Sequence, residues 1–208
     1  MEDGAVSIAG LVFGVAASTN DSRIVLLAGA TGAAAGAVSM MAGTYLDVTS
    51  TRDRANALIA RARARLPLDP AAHERRISMR LEAAGFTPDE AATVTAALAR
   101  NPDAMLAYVA AFELGIGRGE PDSAVVHALW MFAADLAAAA TPVIPFAIFP
   151  IEPARVISLV LTATLLTALG VARARIAHRS VLRMTVQTLA IAGVAAVVGV
   201  LIGRLVTG

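Results

Sequence analysis

Five stretches of the chain are long and almost continuously apolar. They run from Ala5 to Ser18, Ile24 to Leu46, Ala124 to Phe149, Val156 to Val171 and Met184 to Val206. A helix of about 20 apolar residues crosses the hydrocarbon core of a bilayer. The pattern therefore predicts an all-α, polytopic membrane protein with five transmembrane helices, of which the first and fourth stretches are short.

The polar segment between the second and third apolar stretches has clear helix start and stop signals. We expect the second helix to continue through residues 51–66 and to end at Pro67. Caps and prolines then predict further helices, and no stretch reads as a strand. The signals are Asp69-Pro70 and Gly85 for one helix, Thr87 with Glu90 for the next, and Asn101-Pro102 for a last helix that runs from Asp103 to Leu114.

These patterns divide the chain into three parts. Residues 1–50 hold transmembrane helices 1 and 2, residues 51–122 form a helical domain outside the bilayer, and residues 123–208 hold transmembrane helices 3 to 5. Arginines cluster after the second span and between the fourth and fifth spans. By the positive-inside rule, the N-terminus and the helical domain are expected in the cytosol.

Composition narrows the possible chemistry. The chain of 208 residues is 57% hydrophobic, lacks cysteine, and has a net charge of +1 with arginine as its only strongly basic residue. Thiolate metal sites are thereby excluded, and nothing in the charge pattern favours nucleic acid. The arginine bias indicates a bacterial source and hence a bacterial plasma membrane. No catalytic motif stands in a supporting context, so we expect a protein that is not an enzyme and has no permanent cofactor.

Three pairs of glycines are spaced four residues apart inside apolar stretches: Gly10 and Gly14, Gly32 and Gly36, and Gly199 and Gly203. Such pairs let helix backbones approach closely. The spacing leaves open whether the contacts form within one chain or across a dimer.

Acidic residues within or beside the spans are candidates for function, because a charge at a helix centre in the bilayer costs roughly 2.5 to 3.5 kcal/mol. Asp135 lies midway along the third span, before Pro142 and Pro145, where a proton or cation site is one reading. The other interpretation is a buried carboxyl group that forms a hydrogen bond with a neighbour such as Gln187.

Asp3 begins the first span, where a helix N-terminus favours a carboxylate in any case. Met40 and Asp47 are seven residues apart on one face of the second helix, and this mixed ligand set suits Fe²⁺ or Mn²⁺.

The segments Asp3 to Ala16 and Gly36 to Leu46 resemble the vacuolar iron transporter family, and weaker similarity follows in order to Arg204. The resemblance implies a homodimer with five spans per protomer that exchanges protons for Fe²⁺ or Mn²⁺ and exports the metal from the cytosol. It also implies a pathway at the two-fold axis, lined by Asp3 and Met40.

Several positions depart from the family pattern. The second span has Gly32 and Thr44 where the family carries a glutamate at one place or the other. The family's cytosolic metal cluster is reduced to Asp53, Glu74 and Glu113. A family member that no longer transports, and that serves as a membrane interaction or regulatory protein, is therefore the alternative to a transporter.

Overall fold

The structure is a computed structural model that describes residues 2–116 and 123–207. Within those ranges the chain is helical, with no strand. The α-helices are α1 (Glu2–Ser18), α2 (Ser22–Arg65), α3 (Pro70–Ala83), α4 (Pro88–Ala99), α5 (Pro102–Tyr108), α6 (Ala124–Ile148), α7 (Ile151–Ile176) and α8 (Val181–Thr207), and a π-helical turn (Val109–Glu113) follows α5.

Among the described residues, α2, α6, α7 and α8 are long and apolar enough to cross a membrane, and α1 is a shorter apolar helix. The prediction of an all-α membrane protein is confirmed. Of the five predicted spans, four are matched by such helices, and the spanning of α1 remains a prediction. The fourth span is longer than its apolar stretch, because the helix continues through the charged flanks that hold Glu152 and Arg173.

The chain divides into two units. The membrane unit comprises residues 1–45 and 123–208, and the polar unit comprises residues 46–122. Helix α2 contributes to both. Its 44 residues make it about 66 Å long at 1.5 Å per residue, roughly twice the thickness of the hydrocarbon core.

The membrane unit is organised around α1, which contacts α6, α7 and α8. Gly10 and Gly14 of α1 meet Gly199 and Gly203 of α8 at backbone distance. A Cβ at Gly14 would lie 2.6 Å from the carbonyl oxygen of Gly199, and a Cβ at Gly199 or Gly203 would overlap the carbonyl oxygen of Gly10 or Gly14. Two of the three glycine pairs therefore pack against each other within one chain. Gly36 of the third pair has no atom in the space that a Cβ would fill.

Polar contacts fix the ends of these helices. The guanidinium of Arg155, on α7, donates to the carbonyl oxygens of Ala16 and Thr19 at 2.6 and 3.0 Å, where α1 ends. Ser158, one turn farther along α7, donates from its buried hydroxyl to the carbonyl oxygen of Pro142 at 2.7 Å. The two prolines of α6, Pro142 and Pro145, lie inside a continuous helix.

Within the polar unit, the predicted caps are present. Asp69 accepts from the Ala72 N–H, Asn101 caps α5, and Gly85 has a positive φ of 104° beyond the end of α3. Thr87 and Glu90 form the capping box, and the hydrogen bonds from the backbone and hydroxyl of Thr87 hold the pKa of Glu90 below its usual value.

The predicted single helix from Asp103 to Leu114 is wrong in its second half. Helix α5 ends at Tyr108, and a π-helical turn follows, in which the Leu114 N–H donates to the Val109 carbonyl at 3.0 Å. Caps and glycines in a sequence mark where a helix begins or ends. They carry no signal for a change of hydrogen-bond register inside it.

The glycine contact gives the first prediction. Gly199→Ala should lower the free energy of unfolding by about 1 to 3 kcal/mol, because the new methyl group must displace the backbone of α1. Gly193→Ala, on the same helix, has open space around its Cβ and should be neutral or stabilising. Thermal unfolding of the detergent-solubilised protein measures both. Equal melting temperatures for the two variants would contradict the close packing.

Candidate functional site

The carboxyl group of Asp135 is buried against the first turn of α1. Its residue is 1% exposed, and a Cβ at Gly4 would overlap its Oδ1 and lie within 2.7 Å of its Oδ2. The first N–H groups of a helix have no partner within the helix, and its dipole is positive at that end. The acid of α6 is therefore placed where α1 favours a negative charge. Gln187, the partner suggested by the sequence, is exposed on α8.

Helices α1 and α2 pack side by side in opposite directions. A Cβ at Gly29 would lie 3.0 Å from the Val12 side chain, and a Cβ at Gly32 would lie 3.2 Å from Leu11 and 3.4 Å from Ile8. Each step forward along α2 is thus a step back along α1. Met40 lies eight residues beyond Gly32, about 12 Å, and Asp3 lies eight residues before Leu11. Continued over these eight residues, this register would bring Met40 level with the first turn of α1, which stays a prediction.

Each of these two candidates lies on a regular stripe of residues along its helix. Asp3, Ser7 and Leu11 follow one another at intervals of four on α1, as do Gly32, Gly36 and Met40 on α2. Leu11 contacts the Gly32 position, whereas Gly36 has open space. Asp3 is exposed in the single chain and Met40 is half-buried. The structure shows the carboxyl group of Asp135 beside the first turn of α1, and a site that also joins Asp3 and Met40 stays a prediction.

The other four candidates do not form a cluster with one another. Asp47 and Asp53 are exposed on α2, beyond Met40. Glu74 lines a cleft beside Arg63 and Asp103, whereas Glu113 lines a different cleft beside the π-helical turn. In the part of the chain that the structure describes, no three His, Asp or Glu side chains lie close enough to hold a metal ion. Asp53, Glu74 and Glu113 remain predictions that the fold does not gather into one site.

Comparison with known proteins agrees with the order of these elements. The sequence profile of the VIT family matches residues 1–204. The chain belongs to the VIT family. Vacuolar iron transporter 1 of Arabidopsis thaliana is 28% identical over 207 residues, which are 99% of this chain and 83% of that protein. Vacuolar iron transporter 2 of Oryza sativa subsp. japonica is 30% identical over 176 residues, 84% of this chain and 72% of that protein.

A further relative, vacuolar iron transporter 1 of Eucalyptus grandis, is 29% identical over 196 residues. The resemblance deduced from the sequence is thus confirmed, and the names of these relatives support metal transport in the VIT family. They identify the family as transporters and not as enzymes.

Two features of this VIT-family chain were not predicted from its sequence. One is Gly4, whose missing side chain makes room for Asp135. Gly4 stands in the segment whose sequence resembles the family, and no pattern in the sequence links it to Asp135. The other is the convergence of Arg61, Arg65, Arg75 and Arg76 on one cleft of the polar unit. In the sequence these arginines indicate only charged helices.

The contact between Gly4 and Asp135 yields a second prediction. Gly4→Ala should destabilise this VIT-family protein, because the methyl group overlaps the carboxyl group. Asp135→Ala vacates that space, so the double variant should be less destabilised than the sum of the two single variants, by about 0.5 to 3 kcal/mol. Thermal unfolding of the four proteins measures the coupling. Strict additivity would show that the two positions do not touch.

Proposed function

We propose that this protein is a secondary transporter that exports Fe²⁺ or Mn²⁺ from the cytosol in exchange for protons. The observation that carries the proposal is the burial of the Asp135 carboxyl group against the first turn of α1, the turn that also holds Asp3. The names of the relatives, all of them iron transporters, support it independently.

The donor set fits such a cargo. Carboxylate oxygens bind hard and borderline divalent cations, and a thioether adds a softer ligand that distinguishes Fe²⁺ from Mg²⁺ and Ca²⁺. Oxygen and sulfur ligands from two helices can replace the water shell of the ion only where they converge. Protonation of the carboxylates removes their charge and weakens their hold on the metal, which couples metal release to proton entry.

A homodimer would complete the site. In the single chain Asp3 is exposed, and the open space beside Gly36 lies on the same stripe of α2 as Met40. The neighbouring surface of α2 is formed by small side chains, among them Ala34, Ala35 and Ser39. Small residues favour close helix association in lipid. Two copies that meet along α1 and α2 would supply two carboxylates and two thioethers to one ion.

The orientation follows from the arginines. Arg52 and Arg54 follow the apolar part of α2. Around the turn that joins α7 to α8, Arg173 and Arg175 lie in the last turn of α7, Arg179 in the connection and Arg183 in the first turn of α8. We propose that α1 is a fifth span, that both groups face the cytosol, and that the membrane is a bacterial plasma membrane. The cytosolic ends of α1 and α2 then include Asp3 and Met40, so the proposed site opens first to the cytosol.

Asp3→Ala and Met40→Ala should each lower the initial rate of Fe²⁺ flux. Removing a direct ligand should cost at least about the ten- to hundred-fold that is typical for loss of a supporting partner. The measurement is quenching of a metal-sensitive dye inside proteoliposomes, with and without a pH gradient. Asp21→Ala in the α1–α2 loop and Met184→Ala in α8 are the matched controls. Gradient-dependent flux that persists in the Asp3→Ala variant would contradict the proposed pathway.

Asp135→Asn preserves the shape of the side chain and removes its charge. If the acid takes part in proton or cation movement, the rate should fall by at least about ten-fold while the melting temperature stays within a few degrees. The same proteoliposome assay checks this. Unchanged, gradient-dependent transport would assign Asp135 a purely structural role beside Gly4.

A second candidate function rests on the polar unit. Its described acids do not converge, so a role for the cytosolic metal cluster finds no support there. A member that has lost transport and serves as a membrane interaction or regulatory protein would show this feature. Absence of Fe²⁺ and Mn²⁺ flux in folded, reconstituted wild-type protein would favour this alternative.

A further inference from the structure

Four arginine side chains line one open cleft in the polar unit. The cleft has a volume of about 780 Å³ and lies between α2, α3 and the π-helical turn. Arg61 and Arg65 reach it from α2, and Arg75 and Arg76 reach it from α3. The volume is within the range of sites that hold small molecules.

Helical periodicity explains why these arginines converge. Arg61 and Arg65 are four residues apart and share one face of α2, whereas Arg63 points elsewhere and pairs with Asp103 at 3.1 Å. A short turn follows α2, and Asp69 then caps the start of α3. The second turn of α3 brings Arg75 and Arg76 to the same cleft. All four residues are exposed.

The cleft carries more positive than negative charge. Across residues 2–116 and 123–207, none of the four arginines lies within ion-pair distance of a carboxylate. Two acids also line the cleft: Asp69, whose Oδ1 accepts from the Ala72 N–H at 3.0 Å, and Glu113. Four guanidinium groups thus face two carboxylates. The Nδ1 atom of His73 also lies 2.5 Å from a guanidinium nitrogen of Arg76. Like charges held in a concave surface raise the local positive potential.

We propose that this cleft binds a phosphate-bearing polyanion. A guanidinium group offers paired N–H donors that match two oxygens of a phosphate, and two pairs of arginines suit a ligand with several phosphate charges. The site is independent of the metal pathway, because all of its residues belong to the polar unit. Its charge is opposite to that of the metal cluster that the family resemblance predicts for this part of the chain.

The test uses the full chain in nanodiscs of neutral phosphatidylcholine and inorganic tripolyphosphate as the probe. Calorimetry should show binding that weakens as salt rises. Arg61→Gln/Arg65→Gln and Arg75→Gln/Arg76→Gln should each weaken binding by ten-fold or more. Arg52→Gln/Arg54→Gln is the control, since it removes the same charge from α2 outside the cleft. No binding at low salt, or equal losses in all three double variants, would overturn the proposal.

Glu113→Gln separates this site from a cation site. Removing a negative charge from the cleft should tighten tripolyphosphate binding, whereas a metal ligand at Glu113 would predict loss of cation binding and no gain for the anion. Weaker tripolyphosphate binding in this variant would contradict the proposal. The readout is binding alone, so a failure of metal transport leaves it unaffected.

Two further arms complete the design. Phenylglyoxal modifies arginines, and tripolyphosphate should protect the four cleft arginines of the wild-type chain, as read by mass spectrometry, without reliance on any variant. Absence of protection would count against the site.

Nanodiscs with phosphatidylglycerol distinguish the source of the phosphate. Competition with tripolyphosphate there indicates a lipid headgroup as the ligand, and unchanged affinity indicates a soluble compound.

Discussion

The membrane unit depends on the contact between the backbones of α1 and α8. In lipid, an apolar side chain gains little when it moves from contact with lipid tails to contact with another helix. Helices therefore associate through close packing and weak polar contacts. At Gly10, Gly14, Gly199 and Gly203, glycine hydrogens take the place of side chains and face carbonyl oxygens of the opposite helix. Cα–H···O contacts of this kind add modest stabilisation per contact. Because α1 is the shortest of the apolar helices, this packing is what fixes its position.

A fixed α1 makes the buried acid tolerable. Asp135 lies midway along α6, where a charge would be costly, and its carboxyl group packs beside the first turn of α1, where Gly4 leaves room for it. The same turn carries Asp3. One short helix therefore connects three features: the glycine packing near its middle and end, the accommodation of Asp135, and the exposed carboxylate that the proposed pathway requires.

The extent to which the sequence predicted this arrangement depends on the range of each interaction. Caps such as Thr87 with Glu90 act over three residues, and the apolar stretches act within one helix, so the structure contains the helices that both signals predict. The pairing of Gly4 with Asp135 joins positions that are far apart in sequence, and periodicity carries no such information. The choice between intramolecular and dimeric use of the glycine pairs is likewise a matter of tertiary packing. The π-helical turn at Val109–Glu113 follows a register change for which the local sequence has no marker.

Charge in the polar unit points to a separation of tasks between the two units. A cation pathway benefits from acids, and arginines placed near it would repel a divalent ion. In this chain the converging arginines lie in the polar unit, while Asp3 and Asp135 lie in the membrane unit, which residues 1–45 and 123–208 form. Arg61 and Arg65 would repel a divalent cation from the cleft that they line. Their presence favours an anion as the polar unit's ligand and leaves the membrane unit as the place where a cation would be held.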